Sequence, residues 1–347
     1  MTIQRSRSAG RPTLDEVAAR AGVGRGTVSR VVNGSPQVSP EAKAAVQQAI
    51  DELGYVPNRA ARALVTHRTD SVALVVSESE ERVFGEPFFA GIIRGISGFL
   101  SSTPLQLWLA MAQSPQERER VDQYLTRQHV DGVMLLSLHD DDTLPARLRE
   151  RHLPVIRAGH AGMPAPGAVP MSFVDVDNTG GARLAVQHLA GLGRREIAVI
   201  AGPQDMGVGV DRLTGYRDGI VRAGLTPDER LVSYGDFSEE SGAAAMRSLL
   251  AAWPGVDAVF AASDLMAVGA MRVLKETGRK IPVDVAVVGF EDSVLAKQTD
   301  PPLTTVHQPV EEMGREMARL LLDLIRGEAQ PETSVTLDTH LVRRSSA

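Results

Sequence analysis

The stretch Thr13-Leu14-Asp15-Glu16-Val17-Ala18-Ala19-Arg20-Ala21-Gly22-Val23-Gly24-Arg25-Gly26-Thr27-Val28-Ser29-Arg30-Val31-Val32-Asn33 decides how the first part of this chain folds. Thr13 followed three residues later by Glu16 is a capping box, in which each side chain satisfies the other's free backbone N–H. Leu14, Val17, Ala18 and Ala21 then fall on one face of a short helix that Gly22 ends. A second helix is expected from Gly24 or Arg25 to Asn33, with Val28, Val31 and Val32 turned inward and Gly34 as its stop. Small Ala18 stands where the two helices must touch and Gly22 stands in the turn, the steric needs of a helix-turn-helix. A generic helical hairpin meets those needs only occasionally.

A third helix follows, with Ser39 as cap, Pro40 at its first position, Val46, Ile50 and Leu53 as its apolar stripe and Gly54 as its end. Three helices in some forty residues make one small core. The second helix leaves Arg25, Thr27, Ser29, Arg30 and Asn33 outside. Arg can bridge the O6 and N7 of guanine, and Thr and Ser can reach phosphates or a thymine methyl, when the start of such a helix enters a major groove.

Charge agrees with that assignment without proving it. Residues 1–68 carry ten Lys or Arg against five acids, while the whole chain is −6, so a basic head sits on an acidic body. That asymmetry is the footprint of a nucleic-acid module, although a solvated surface also explains it. At 347 residues, several cores are required. With 43% apolar and 23% charged residues, most of the chain should fold as ordinary globular protein. The lack of cysteine removes disulfides, thiolate metal sites and cysteine nucleophiles together and fits a reducing cytoplasm. Residues 1–11 read as a mobile basic tail rather than a signal peptide, and no apolar run is long enough for a membrane span.

The run quoted above, with Val38-Ser39 and Leu53-Gly54-Tyr55-Val56-Pro57-Asn58, resembles the DNA-binding head of the lactose/galactose repressor (LacI/GalR) family. The resemblance implies operator contacts from Thr13, Arg25, Gly26, Thr27, Ser29, Arg30, Asn33, Tyr55, Asn58, Arg59 and Leu64. It also implies a hinge helix after Pro57, capped by Asn58, in which Arg59 and Arg62 meet phosphates. In such a hinge, Ala60, Ala61 and Ala63 let two copies approach and Leu64 wedges between base steps in the minor groove. A plain linker helix is the alternative, since so short a helix is unstable alone. Gly24 departs from the family's usual capping Ser. Arg25 and Gly26 occupy its most variable, operator-selecting positions.

From Asp70 onward, apolar runs at Val72–Val76, Leu105–Ala110, Val133–Leu136, Val155–Ala158, Ile197–Ile200, Val259–Ala262 and Val285–Gly289 alternate with helical segments. This alternation predicts parallel sheets flanked by helices, in two blocks split near Phe173–Asp177. The resemblance extends here through Val176-Asp177-Asn178, Arg212-Leu213-Thr214-Gly215-Tyr216, Ser263-Asp264-Leu265-Met266 and Val288-Gly289-Phe290-Glu291-Asp292. It implies a periplasmic-binding-protein-like effector domain of two doubly wound parallel-sheet lobes, α/β in class, behind the all-α head. The expected boundaries are 12–57 for the head and 58–69 for the hinge helix and linker. Residues 70–174 with 308–330 form the first lobe, and 175–307 with 331–347 the second.

Ligands of open α/β sheets bind beyond the carboxyl ends of strands. Arg212 and Asp264 are the leading effector candidates, since each can make two hydrogen bonds to adjacent sugar hydroxyls; a structural ion pair is the alternative. Phe88, Phe89 and Phe237 suit the C–H face of a sugar ring or, equally, a core. Asp177, Asn178, Glu291, Asp292 and Gln308 are weaker candidates that caps and turns also explain. Gly159 stands where many relatives carry a polar contact.

The stretch Val76–Phe89 with Leu107–Ala112 resembles actinobacterial, cello-oligosaccharide-responsive members of the family, and 4 lysines against 33 arginines fit a GC-rich genome. The implied protein is a homodimeric cytoplasmic repressor that binds double-stranded operator DNA and a small sugar effector, with no membrane partner, catalysis, metal or cofactor. A purine-responsive repressor and a plain sugar-binding protein remain alternatives. No phosphate loop, nucleophile elbow or paired-His metal motif supports an enzyme. His129, His139, His152 and His160 read as surface or loop residues. The last helix, Glu311–Arg326, carries no leucine heptad beyond it, so a two-fold dimer suffices.

Overall fold

The structure is a computed structural model that describes residues 12–33, 35, 37–56, 68–160 and 171–347. The expected tail (1–11) and the hinge residues Asn58, Arg59 and Leu64 lie outside the described residues. Chain contacts separate residues 1–69 from 70–347.

The head contains α1 (Leu14–Ala21), α2 (Arg25–Val32) and α3 (Pro40–Leu53). Thr13 and Glu16 form the expected capping box, and Gly22 closes α1 at φ 69°, a left-handed conformation that a side chain resists. Ser39 caps α3 through the Ala42 N–H. Gly24 offers α2 no side-chain cap. Val17, Ala18, Val28, Val46 and Ala49 form the core, edged by Leu14, Val31, Val32, Ile50 and Leu53. An Arg20–Glu52 ion pair ties α1 to α3.

The body begins with β1 (Ser71–Val76), α4 (Glu80–Gly85), α5 (Pro87–Leu100), β2 (Gln106–Met111), α6 (Pro115–Tyr124), β3 (Gly132–Leu136), α7 (Leu144–Glu150), β4 (Val155–Ala158) and β5 (Phe173–Val176). It continues through α8 (Asn178–Gly191), β6 (Ile197–Ala201), α9 (Gly207–Arg222), β7 (Val232–Tyr234), α10 (Glu239–Ala252), β8 (Ala258–Ala261) and α11 (Asp264–Glu276). Last come β9 (Ala286–Glu291), α12 (Val294–Gln298), β10 (Thr304–His307), α13 (Val310–Arg326), β11 (Ser334–Leu337) and β12 (His340–Val342).

Two six-stranded sheets result, ordered β11-β5-β4-β3-β1-β2 and β12-β10-β9-β8-β6-β7. Every described pairing is parallel except that of β12 with β10. The central strands β1, β3, β6 and β8 are buried along their whole length, as strands covered by helices on both faces must be. The first sheet packs on α5 and α13, where Met313, Met317, Leu320 and Leu321 are buried as the helical period predicts.

The lobe boundaries need correction at two points. β5 belongs wholly to the first sheet, so that lobe runs to 176 rather than 174. Residues 334–337, expected in the second lobe, form β11, which pairs with β5 in the first sheet. The chain therefore changes lobes three times, near 177, 308 and 338. The last crossing was hidden because an edge strand of four half-exposed residues has no apolar run to mark it.

Candidate functional site

In the head, Arg25, Gly26, Arg30 and Asn33 are exposed on or beside α2, with Thr27 and Ser29 half-buried on it. A helix face so equipped can donate to base edges and phosphates. Two expected contacts change character. The Thr13 hydroxyl is engaged with Glu16, accepting its N–H and facing its carboxylate, so its demonstrable work is capping. Tyr55 is packed into the head core at 8% exposure because its backbone N–H closes onto Ile50 and folds the ring under α3. Its ring works as an anchor.

In the body, one cavity with about 740 Å³ of open space lies between the ends of the two sheets. From the first lobe come Arg82, Glu86, Phe88, Phe89, Ser137, Arg157, Gly159, His160 and Asp175; from the second come Asn178, Met206, Arg212, Phe237 and Glu291, with Gln308 at a crossing. Most follow strand ends, as ligand sites in doubly wound sheets do.

Arg212, 2% exposed on α9, organises the floor. Its Nε donates to Asn178 Oδ1 at 2.9 Å, one terminal nitrogen to the Ala262 carbonyl at 2.6 Å, and the other to Gln308 Oε1 at 3.0 Å. The guanidinium carbon lies 3.7 Å from the Phe290 ring centroid. Burial lowers its pKa to about 10, against the pull of Glu291, Asp175 and Asp264. The network continues as Asn178 donates to Asp175 Oδ1 at 2.9 Å, while Asp175 Oδ2 accepts the His160 backbone N–H and faces its Nδ1 at 2.9 Å. It thus joins two of the three crossings between lobes, near 177 and 308.

Glu291, at the end of β9, is held at φ 116° and followed by Asp292 at φ 57°, a strained turn that aims the carboxyl into the cavity. Burial raises the Glu291 pKa, and Asp264 pushes it further up. Phe237 also has positive φ (74°) and lies over Gly202, where any Cβ would fall inside its ring. Phe88 and Phe89 line the opposite lobe, edge to face at 5.3 Å.

Among the effector candidates, Asp264 and Asp177 do not reach the cavity. Asp264 is fully buried behind Gly289, where Oδ1 accepts the Thr305 hydroxyl at 2.6 Å and Oδ2 the Ser293 N–H at 2.7 Å. Opening a helix straight after a central strand puts it under the sheet end, not over it. Asp177 is exposed and caps α8 through Gly180, the alternative its position allowed.

The structure adds others. His160, expected at the surface, lines the cavity; with Asp175 and Asp211 it brings three ligand-type atoms within 4.8 Å. Its two ring nitrogens face different carboxylates, so the arrangement is an ion-paired bridge between lobes rather than a single coordination point. Arg82, on α4, is clasped between Glu78 and Glu86, both within 2.7 Å. Arg157 stands at the end of β4 and His160 just after it, so both could have been found by the strand-end rule; nothing local distinguishes Arg82.

Residues 13–58 match the model of bacterial regulatory proteins of the lacI family, and residues 186–347 match that of a periplasmic binding protein-like domain. The chain is 58% identical over 339 residues to the HTH-type transcriptional regulator CelR of Thermobifida fusca, covering 97% of this chain and 98% of the relative. A solved complex of the transcriptional regulator CelR with cellobiose is 55% identical, covers 97% of this chain and 100% of the other, and superposes with a TM-score of 0.78. The lac repressor dimer bound to operator and the anti-inducer ONPF is 28% identical, with coverages of 97% and 99% and a TM-score of 0.83. The capped helix-turn-helix, the two wound lobes and these likenesses together show that the chain belongs to the LacI family of bacterial transcriptional regulators.

Proposed function

We propose that this protein is a repressor of sugar-utilisation genes, released from a near-palindromic operator when cellobiose or a cello-oligosaccharide enters the cavity. The observation that carries the proposal is the interlobe cavity centred on Arg212, with polar groups from both lobes and three phenylalanines on its walls, on the same chain as an exposed helix-turn-helix. Polar donors with aromatic faces suit a sugar ring. The likeness to a regulator solved with cellobiose supports that sugar over a purine.

Sugar bridging the lobes shifts the population toward one lobe arrangement, which separates the paired hinges and lowers operator affinity. A coupling of about 1 to 3 kcal/mol corresponds to a change of about 5- to 150-fold. Two heads on one operator double the contacts, and we take the working unit to be a homodimer. We read the chain as a regulator without catalysis, acting in the cytoplasm, where its DNA lies. Among the described residues no helix is long and apolar enough to cross a membrane.

A gel shift of the chromosomal operator against cellobiose, maltose, lactose and hypoxanthine tests this. Release by cellobiose is expected. Tighter retardation with hypoxanthine would replace the sugar by a purine corepressor, and no retardation at all would remove the repressor assignment.

A further inference from the structure

Three arginines line the cavity, and their donors are spent very differently. Arg82 is neutralised between Glu78 and Glu86. Arg212 gives Nε and both terminal nitrogens to Asn178, Ala262 and Gln308. Arg157, the third residue of β4, has one bond among the described residues, from a terminal nitrogen to the His160 carbonyl at 3.1 Å. Its Nε is buried with no hydrogen-bond partner. Burial lowers its pKa, opposed by the more distant charges of Asp175 and Asp140.

A buried guanidinium N–H left unpaired is costly, and native proteins rarely keep one without a use. Among the described residues nothing accepts from it. Arg157 lines the cavity, so a shift of its side chain toward an incoming molecule would bring the missing acceptor to Nε. Asp175 and Asp140 oppose the effect of burial only in part, and what the guanidinium lacks is acceptor atoms, which the hydroxyl and ring oxygens of a sugar supply.

We propose that Arg157 is an effector-contacting, specificity-determining residue, whose Nε–H and free terminal donors take hydroxyl or ring oxygens of a neutral saccharide held against the first lobe. This rests on the sugar-effector reading above. Arg212, committed to the protein on three sides, frames the cavity floor, while Arg157 reads the ligand. A site built around an unfilled donor discriminates strongly against a ligand lacking the matching oxygen.

The test is calorimetric titration of the full chain with cellobiose and with cellobionate, which carries a carboxylate in place of one ring, together with thermal unfolding of the unliganded protein. Arg157→Met should weaken cellobiose binding about 10- to 100-fold, as expected for losing a hydrogen bond to a charged donor. It should leave the unliganded Tm unchanged or slightly raised, because the orphaned donor is gone. Arg157→Lys keeps the charge but loses the fork and should restore binding only in part.

Unchanged affinity in Arg157→Met, or a Tm lowered by several degrees, would overturn the proposal in favour of a structural role. Full restoration by lysine would overturn the role of the Nε donor. Tighter binding of cellobionate than of cellobiose, lost in Arg157→Met, would overturn the neutral-ligand assignment. If the wild-type chain takes up no cellobiose, the effector reading is what fails. The saccharide contact proposed for Arg157 then falls with it, and the unliganded melt separates the two failures: a lowered Tm marks Arg157 as structural, a retained or raised Tm marks the sugar reading alone as wrong.

Discussion

His160 of the first lobe reaches Asp211 of the second, with its Nε2 3.5 Å from Asp211 Oδ2 while its Nδ1 stays 2.9 Å from Asp175. One imidazole thus ties a strand end of one sheet to a helix of the other. A second tie runs beside it, from His139 Nδ1 to Asp205 Oδ2 at 2.7 Å, next to the cavity residue Met206.

Hydrogen bonds to Asp175 and Asp211 raise the His160 pKa from 6.5 to about 10. A histidine whose pKa is raised on folding contributes stability that is complete below its unfolded value and lost as pH rises through its folded one. Unliganded protein should therefore lose Tm between pH 7 and 10, and His160→Gln should flatten that slope. The bridge is partly solvated, so the effect is a slope rather than a collapse. Equal slopes in both proteins would sink the idea.

Glu291 is held above the usual carboxylate range first by burial and then by Asp264, with Arg212 opposing. A fraction is therefore protonated at neutral pH. Sugar hydroxyls donating to this carboxyl would favour its ionised form, so effector binding near pH 7 should release a proton. Titrations in buffers of different ionisation enthalpy measure this directly; proton uptake would contradict it.

Arg212→Ala should cost stability as well as effector response. It strips the donors from Asn178, Ala262 and Gln308 at a buried floor, a loss of about 3 kcal/mol or more when each buried acceptor left unpaired costs roughly 1 to 3 kcal/mol. Urea unfolding of the full chain would read it as a lower midpoint. A variant as stable as wild type would mean that the network is rebuilt around water.

Asp264→Ala should destabilise the second lobe by about 1 to 3 kcal/mol, since the Thr305 hydroxyl and the Ser293 N–H lose their acceptor. Sugar selectivity should stay as it was. A changed ranking of cellobiose, maltose and lactose at unchanged stability would return Asp264 to the ligand.

In the head, Arg30→Ala should weaken operator binding by about 1 to 3 kcal/mol and leave sugar affinity intact, as a base-reading arginine requires. Thr13→Ala should act through folding, lowering head stability by about 0.5 to 2 kcal/mol through the lost cap. Hydrogen exchange at Val17 and Val28 separates the two, because only the second change should speed it.

The head and the last long helix were readable because their signals are local. Thr13 with Glu16, Gly22, Ser39-Pro40 and Gly54 act on backbone groups within a few residues, and the spacing of Met313, Met317, Leu320 and Leu321 names the face that α13 buries. The alternation of apolar runs likewise made the wound sheets visible. What lies after each strand was visible only as a set of candidates.

Tertiary structure alone decided among them. Asp264 and Glu291 both stand at strand ends, yet one turns under the sheet to Thr305 and Ser293 while the other, through two positive-φ residues, turns into the cavity. Tyr55 went into the head core and His160 out of the expected surface, and β11 joined the first sheet across more than 150 residues of chain. Periods and caps are set by neighbours in sequence. The direction a terminal side chain takes, and the strand a short edge segment finds, are set by groups that only folding brings near.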